Sequence, residues 1–202
     1  MLEHPPEQVL VIPENLASVL APVPFTPPPS DTAKLEQIIL SSHTFREREE
    51  AEKNTAYKQV IPYVVISHAG RYLLTQRTSK QQEKRLHNLF SIGQGGHINT
   101  LDMESGHPIV TGMLREVAEE FHLPKLDDFT IVGQINDNSN DVGKVHLGIV
   151  FLVSVKSETF EVAETGKHIA RWASVKDLSA HYAEMENWSK ILMDQWLCVG
   201  TA

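Results

Sequence analysis

A chain of 202 residues, 41% hydrophobic and 22% charged, is enough for one globular domain of ordinary composition, and it excludes disorder throughout. Eighteen Lys and Arg against 26 Asp and Glu leave a net charge of −8, the wrong sign for a nucleic-acid groove unless basic residues are strongly segregated or metal ions intervene. The one cysteine, Cys198, excludes an internal disulfide framework; with no signal-peptide pattern at Met1 to Pro6 and no long apolar stretch, a cytoplasmic chain with no membrane partner is expected.

Eight of the eleven prolines lie in the first 29 residues, which predicts an extended Pro-rich arm packed along the main body. Ser30-Asp31 then offers a cap for a short helix through about Leu40. Residues 1–44 are accordingly an N-terminal extension and 45–202 the main domain, entered through a charge-rich connection over 45–56. Residues 60–66 read as a strand, with Pro62 placing it near an edge or a start; residues 68–70 read as a turn and 71–77 as the hairpin partner. Residues 91–97, SIGQGGH, form a glycine-rich stretch where backbone can approach a ligand or another strand closely. A helix is predicted from Pro108, with Val110, Met113, Leu114, Val117 and Phe121 as an apolar stripe and Pro124 as its stop. Strands follow at 129–135, 145–155 and 169–173, the first two separated by a turn-rich stretch, and the tail over 175–196 reads as one or two helices. Strands interrupted by a central helix, with helices at the end, predict an α/β protein with a mixed sheet between helices.

The charge is unevenly spread. Residues 61–101 carry five basic and one acidic side chain, whereas 102–128 carry two and seven. The second stretch contains Arg115-Glu116-Val117-Ala118-Glu119-Glu120, which on a helix puts Glu116, Glu119 and Glu120 on one side. Like charges at that spacing cost roughly 0.2–0.5 kcal/mol per pair, and the helix dipole disfavours anions near a C-terminal end. A hard divalent cation with oxygen ligands, Mg²⁺ or Mn²⁺, compensates them where phosphates complete its shell. The competing reading is an exposed acidic face with Arg115 as its counterion.

With its glycines, this segment resembles the Nudix box, G-x5-E-x7-R-E-U-x-E-E-x-G-U, where U is apolar. Arg115 to Glu120 match its second half, and Gly95-Gly96-His97-Ile98 look like its opening. Three departures stand out. The connecting loop is five residues longer than the pattern; Asp102, Glu104 or His107 stands where the first glutamate is expected; and His122 replaces the closing glycine. The wider chain is similar to a less-characterised bacterial branch of the family over roughly residues 45–185, through Tyr57 to Tyr63, Leu86-His87-Asn88, Gly93 to Asn99 and Val145 to Phe151. The resemblance implies a Nudix-type α/β/α sandwich around a mixed sheet.

It also implies metal-dependent hydrolysis of a diphosphate linkage in a nucleoside diphosphate joined to another group, with water attacking phosphorus. By the same resemblance Glu119 and Glu120 are metal ligands, Glu116 is a ligand or base, Glu120 is also catalytic, the Gly96 or Gly95 carbonyl is a backbone ligand and Arg115 orients a glutamate. Glu161 or Glu164 is a candidate for a further carboxylate. Arg77 and Arg85 suit phosphate oxygens, His97 and His146 suit a cavity lining, and Trp172 suits stacking on a base or a place in the core. The expected partner is a small nucleotide, with a homodimer as the candidate assembly. Two other classes compete. A non-catalytic Nudix-like nucleotide-binding regulator is expected to lose box glutamates and gain a DNA-binding domain, and an isoprenyl diphosphate isomerase to carry a cysteine near the glycines. This chain keeps the glutamates and has no cysteine there.

Overall fold

The computed structural model describes residues 6–77, 89–123, 126, 128–163 and 168–198. A ten-stranded mixed sheet flanked by helices runs in the neighbour order β12-β5-β4-β10-β9-β2, with β1, β3, β6 and β7 attached beside that path. The strands on the path are β2 (Phe25–Thr26), β4 (Tyr57–His68), β5 (Arg71–Arg77), β9 (Asp128–Ile135), β10 (His146–Ser154) and β12 (His168–Ala173). The attached strands are β1 (Gln8–Pro13), β3 (Thr44–Glu47), β6 (Phe90–Ser91) and β7 (Gly93–Gly95). The chain divides into two compact units, one built from Met1–Pro62, Gly95–Leu114 and Ile131–Val150, the other from Tyr63–Gln94, Arg115–Thr130 and Phe151–Ala202.

In the first unit, the segment expected as an arm carries a strand of the core. Val9, Leu10, Val11 and Ile12 are completely buried, a short continuous apolar run of the kind that fills a strand covered on both faces. β1 pairs antiparallel with β3, from Gln8↔Glu47 to Val11↔Thr44, and with β4, from Val11↔Gln59 to Pro13↔Tyr57. Helix α1 (Glu14–Leu20) follows directly, and β2 pairs with β9 through Phe25↔Ile135 and Thr26↔Gln134. Gly133 permits that pairing, since a Cβ there would meet the Phe25 ring at 2.5 Å. Helix α2 (Thr32–Ser42) begins as predicted, with the Asp31 carboxylate accepting from the Lys34 N–H at 3.1 Å and Leu35 and Ile39 turned inward. The stretch expected as a connection forms β3 and one helical turn, α3 (Arg48–Ala51).

In the second unit, the end of β4 turns through Ala69 and Gly70, both at positive φ, into β5. β12 pairs antiparallel with β5 over six residues, from His168↔Arg77 to Ala173↔Tyr72. Ser174 and Asp177 cap helix α5 (Val175–Ala180) reciprocally, and Glu186 caps α6 (Asn187–Leu192). Tyr63, buried on β4, donates to the Glu186 carboxylate at 2.6 Å and lies 3.1 Å from the hydroxyls of Ser91 and Ser189. Burial together with the Glu186 charge pushes its phenol well above the ordinary range. This network ties α6 to the strand beneath it. Among the described residues, no helix is long and apolar enough to cross a membrane.

Candidate functional site

The glutamate-bearing helix is α4 (Pro108–Glu120). Its inward residues are Ile109, Met113 and Val117, spaced by four, whereas Leu114 is 40% exposed. The predicted stripe is therefore rotated: Ile109 replaces Val110, and Leu114 moves to the edge. Gly112 faces the preceding loop closely, and a Cβ there would sit 3.2 Å from Ile98 Cγ1 and 3.3 Å from Asp102 Oδ2.

Arg115, Glu116, Glu119 and Glu120 all lie in the second unit. Arg115 Nη1 donates to Glu116 Oε1 at 2.7 Å and to Glu119 Oε1 at 3.3 Å, so the guanidinium bridges two of the three carboxylates. The Glu116 side chain is 17% exposed and that of Glu119 58%. Burial raises the Glu116 carboxyl above its ordinary range; the hydrogen bond and charge of Arg115 oppose this, while Glu119 and Glu120 add to it. Glu120 Oε2 is shut off from solvent.

The helix ends without the left-handed cap that a closing glycine serves. Positive φ among the described residues occurs at Ala69, Gly70 and Gly106, not at His122. Instead Phe121–His122 form β8, paired with β11 (Glu161–Val162) through His122↔Glu161 and Phe121↔Val162. The Ala163 N–H donates to the Glu120 carbonyl at 3.0 Å, so the segment bearing Glu161 is bonded directly to the end of the glutamate helix. Extended backbone accepts any residue, and this explains His122.

The long loop before α4 is a 3₁₀ turn over Thr100–Ser105. Asp102, 2% exposed, caps it by accepting from the Asn99 N–H at 2.9 Å. Glu104 is exposed, and the His107 ring lies 3.3 Å from Glu36 Oε2. None of the three candidates for the first box glutamate is on α4's glutamate-bearing turns.

In the first unit, His97 and His146 come together with ring centroids 5.9 Å apart, and His146 Nδ1 lies 2.7 Å from the Val142 carbonyl. Gly96 is buried just before this pair. Arg77 ends β5, in register with His168. Arg85, Glu164 and the predicted helix stop Pro124 lie outside the described residues. Trp172 donates to the Glu158 carbonyl at 2.7 Å and meets Phe160 edge-on at 5.7 Å. Cys198 is half-buried.

Sequence reasoning missed Lys58. It is completely buried, and its Nζ donates to Asn138 Oδ1 at 2.5 Å and to the Gly143 carbonyl at 2.7 Å. Burial pushes this ammonium down to about 8 against the pull of Glu14 and Asp137. Asp137 in turn accepts from the Ser139 N–H at 3.0 Å and from Asn140 Nδ2 at 3.1 Å, closing the loop that carries the chain to His146. The available signal was the Asn-Asp-Asn-Ser-Asn-Asp run at 136–141, dense in side chains that bond local backbone.

Among the described residues, no three His, Cys, Asp or Glu side chains are gathered to hold a metal ion as they stand. Arg115 accounts for part of this, because it occupies the space between Glu116 and Glu119. The donor set nonetheless fits a hard cation: three carboxylates on successive turns, one of them raised by burial and by its acidic neighbours.

Comparison with known proteins decides the family. The chain is 31% identical to the crystal structure of Tm1382, described as a candidate Nudix hydrolase, covering 97% of this chain and 100% of that one at a TM-score of 0.80. It belongs to the Nudix hydrolase superfamily, enzymes acting on phosphorus-containing anhydrides. It is also 33% identical to Protein YmaB of Bacillus subtilis (strain 168) over 198 residues, 93% of this chain and 96% of that protein. The Nudix domain of Shewanella oneidensis NrtR, complexed with ADP ribose, shares the fold at 15% identity and a TM-score of 0.54, over 68% of this chain and 85% of that one. No protein-family model matches the sequence. The Nudix fold read from Arg115 to Glu120 and the glycine segment is the fold of the molecule.

Proposed function

We propose that this Nudix protein is a metal-dependent hydrolase of a diphosphate linkage in a nucleoside diphosphate joined to another group. The observation that carries the reading is the cluster at the end of α4, where Glu116, Glu119 and Glu120 share one side of the helix, one arginine bridges the first two, and burial disfavours the Glu116 charge. Carboxylates arranged at this electrostatic cost need a cation. Glu116, Glu119 and Glu120 would hold Mg²⁺ or Mn²⁺, which when bound neutralises diphosphate charge and lowers the pKa of water. Arg115 holds Glu116 in place through the 2.7 Å bond and supplies the counter-charge until the cation arrives. The Glu116 carboxyl, raised by its surroundings, is the one suited to accept a proton from attacking water. A nucleoside-linked substrate is supported by a same-fold domain that holds ADP ribose.

The test is a panel of nucleoside diphosphate derivatives with Mg²⁺ and Mn²⁺, run beside Glu120→Gln. Turnover should require the metal and yield a phosphate-containing product, and the variant should lose at least about a hundredfold in rate, the scale of a lost metal or proton-transfer group. Equal rates in variant and wild type would overturn the ligand assignment. Absence of turnover with nucleotide binding intact would favour a non-catalytic binding protein.

A further inference from the structure

Buried polar atoms in folded proteins nearly always have hydrogen-bond partners, and the exceptions call for a reason. In the first unit four such atoms lie on three carboxamides, beside Glu36 Oε1 and Arg46 Nε. Gln59 on β4 and Gln134 on β9 are each 1% exposed, and Asn136, just past β9, is 7% exposed. Gln59 Nε2 and Oε1, Gln134 Nε2 and Asn136 Oδ1 are all shut off from solvent without a hydrogen-bond partner. Asn136 is nevertheless fixed in orientation, its Nδ2 donating to the Ala21 carbonyl at 3.0 Å and its backbone N–H to the Pro24 carbonyl at 3.1 Å.

The pleat puts Gln59 and Gln134 on one face, and Asn136 follows Gln134 by two residues. The hydroxyls of Ser67 and Ser154 lie 3.4 Å apart, so odd positions of β4 share a face with even positions of β10. The rings of Phe129 and Phe151, 6.1 Å apart, place even positions of β9 on that same face. Gln59, Gln134 and His146 therefore point the same way from three neighbouring strands. His146 meets His97 there, and both imidazoles are half-buried, so solvent reaches the edge of this polar group.

A purely structural role explains the carboxamides poorly, because Met or Leu would fill similar volume and leave nothing unpaired. Their chemistry also selects among ligands. Two donors and two acceptors are on offer. A phosphate, which only accepts, would leave Gln59 Oε1 and Asn136 Oδ1 unmatched, and a metal cation would leave both Nε2 donors unmatched. A planar heteroaromatic base presents donors beside acceptors on one edge, the pattern a glutamine carboxamide pairs with twice.

We propose that Gln59, Gln134 and Asn136 form a base-reading face, a nucleobase site within the first unit. This inference does not rest on the hydrolase reading. Binding to the full chain is measured by calorimetry without metal, so no turnover is needed. The probes are the 5′-monophosphates of adenosine, guanosine, cytidine and uridine, with ribose 5-phosphate as the base-free control. At least one nucleotide should bind about tenfold tighter than ribose 5-phosphate. Gln59→Met and Gln134→Met should each erase most of that preference, with urea midpoints equal to or above wild type. Should either methionine variant fail to fold, Gln59→Glu, which replaces the donor at nearly constant shape, should change which base is preferred. No preference over ribose 5-phosphate in the wild type, or an unchanged preference in the folded variants, overturns the assignment. Hydrolysis with no base preference would sink this inference and leave the hydrolase reading standing; base preference without hydrolysis would do the reverse.

Discussion

At the scale of single residues, buried Lys58 and half-buried Glu116 respond to pH in different windows. Lys58 is lowered to about 8 from 10.5. Between those values the unfolded chain holds the lysine proton that the folded chain has released, so stability rises with pH across the window. The gain is up to about 3 kcal/mol. Urea unfolding from pH 8 to 10.5 should show this rise in the wild type relative to Lys58→Met, which has no proton to lose there. A flat difference would mean that the two hydrogen bonds to Asn138 and Gly143 hold the charged form after all. Glu116 is shifted upward, so its charge costs stability once pH exceeds the ordinary carboxylate range. A bound cation removes that cost. Saturating Mn²⁺ or Mg²⁺ at near-neutral pH should raise the thermal midpoint by the equivalent of about 2.7 kcal/mol at a hundred times Kd. Glu120→Gln should lose most of the increment, read by calorimetry.

At the scale of elements, the end of α4 departs from the family pattern for a local reason. The chain passes from Glu120 into an extended pair with β11, and the Glu120 carbonyl is satisfied by the Ala163 N–H. No left-handed residue is needed, so restoring a glycine should not help. His122→Gly is expected to destabilise the protein by about 0.5–1 kcal/mol, because glycine loses more backbone entropy in a strand. An increase in urea midpoint would show that the turn is strained. The loop from Asp137 to Gly143 is built with the opposite constraint. A Cβ at Gly143 would sit 1.8 Å from the Asp137 carbonyl oxygen, so that position admits glycine alone while the loop keeps this shape.

At the scale of the whole molecule, the segment from Gln8 to Pro13 belongs to the fold. Val9 to Ile12 are completely buried, and β1 bonds to β3, to β4 and, through the Leu10 N–H, to the Ile98 carbonyl at 2.9 Å. Burying each such side chain contributes roughly 1.5–3 kcal/mol, so four together rival the 5–15 kcal/mol by which domains are stable. Removing residues 1–13 is therefore expected to abolish cooperative unfolding, followed by circular dichroism in urea. A truncated protein with a wild-type transition would return this segment to the status of an arm.

What the sequence by itself determined was local and periodic. Arg115 to Glu120 placed three carboxylates on one side of a helix because helical spacing is fixed by backbone geometry. Asp31 marked a helix start, residues 71–77 a hairpin strand, and the Nudix resemblance the family. Tertiary structure decided what depends on partners remote in the chain. Proline density hid β1, since Val9 to Ile12 form a strand only once β3 and β4 are there to pair with them. Val110 and Leu114 fitted a helical stripe as well as Ile109 does, and only the surface beneath α4 chose between them. Lys58 looked like any strand lysine until its ammonium met Asn138, 80 residues away. The same holds for Gln59 and Gln134. A glutamine in a strand is ordinary on a solvated face, and it became a candidate for recognition because the fold buried its carboxamide without giving it a partner.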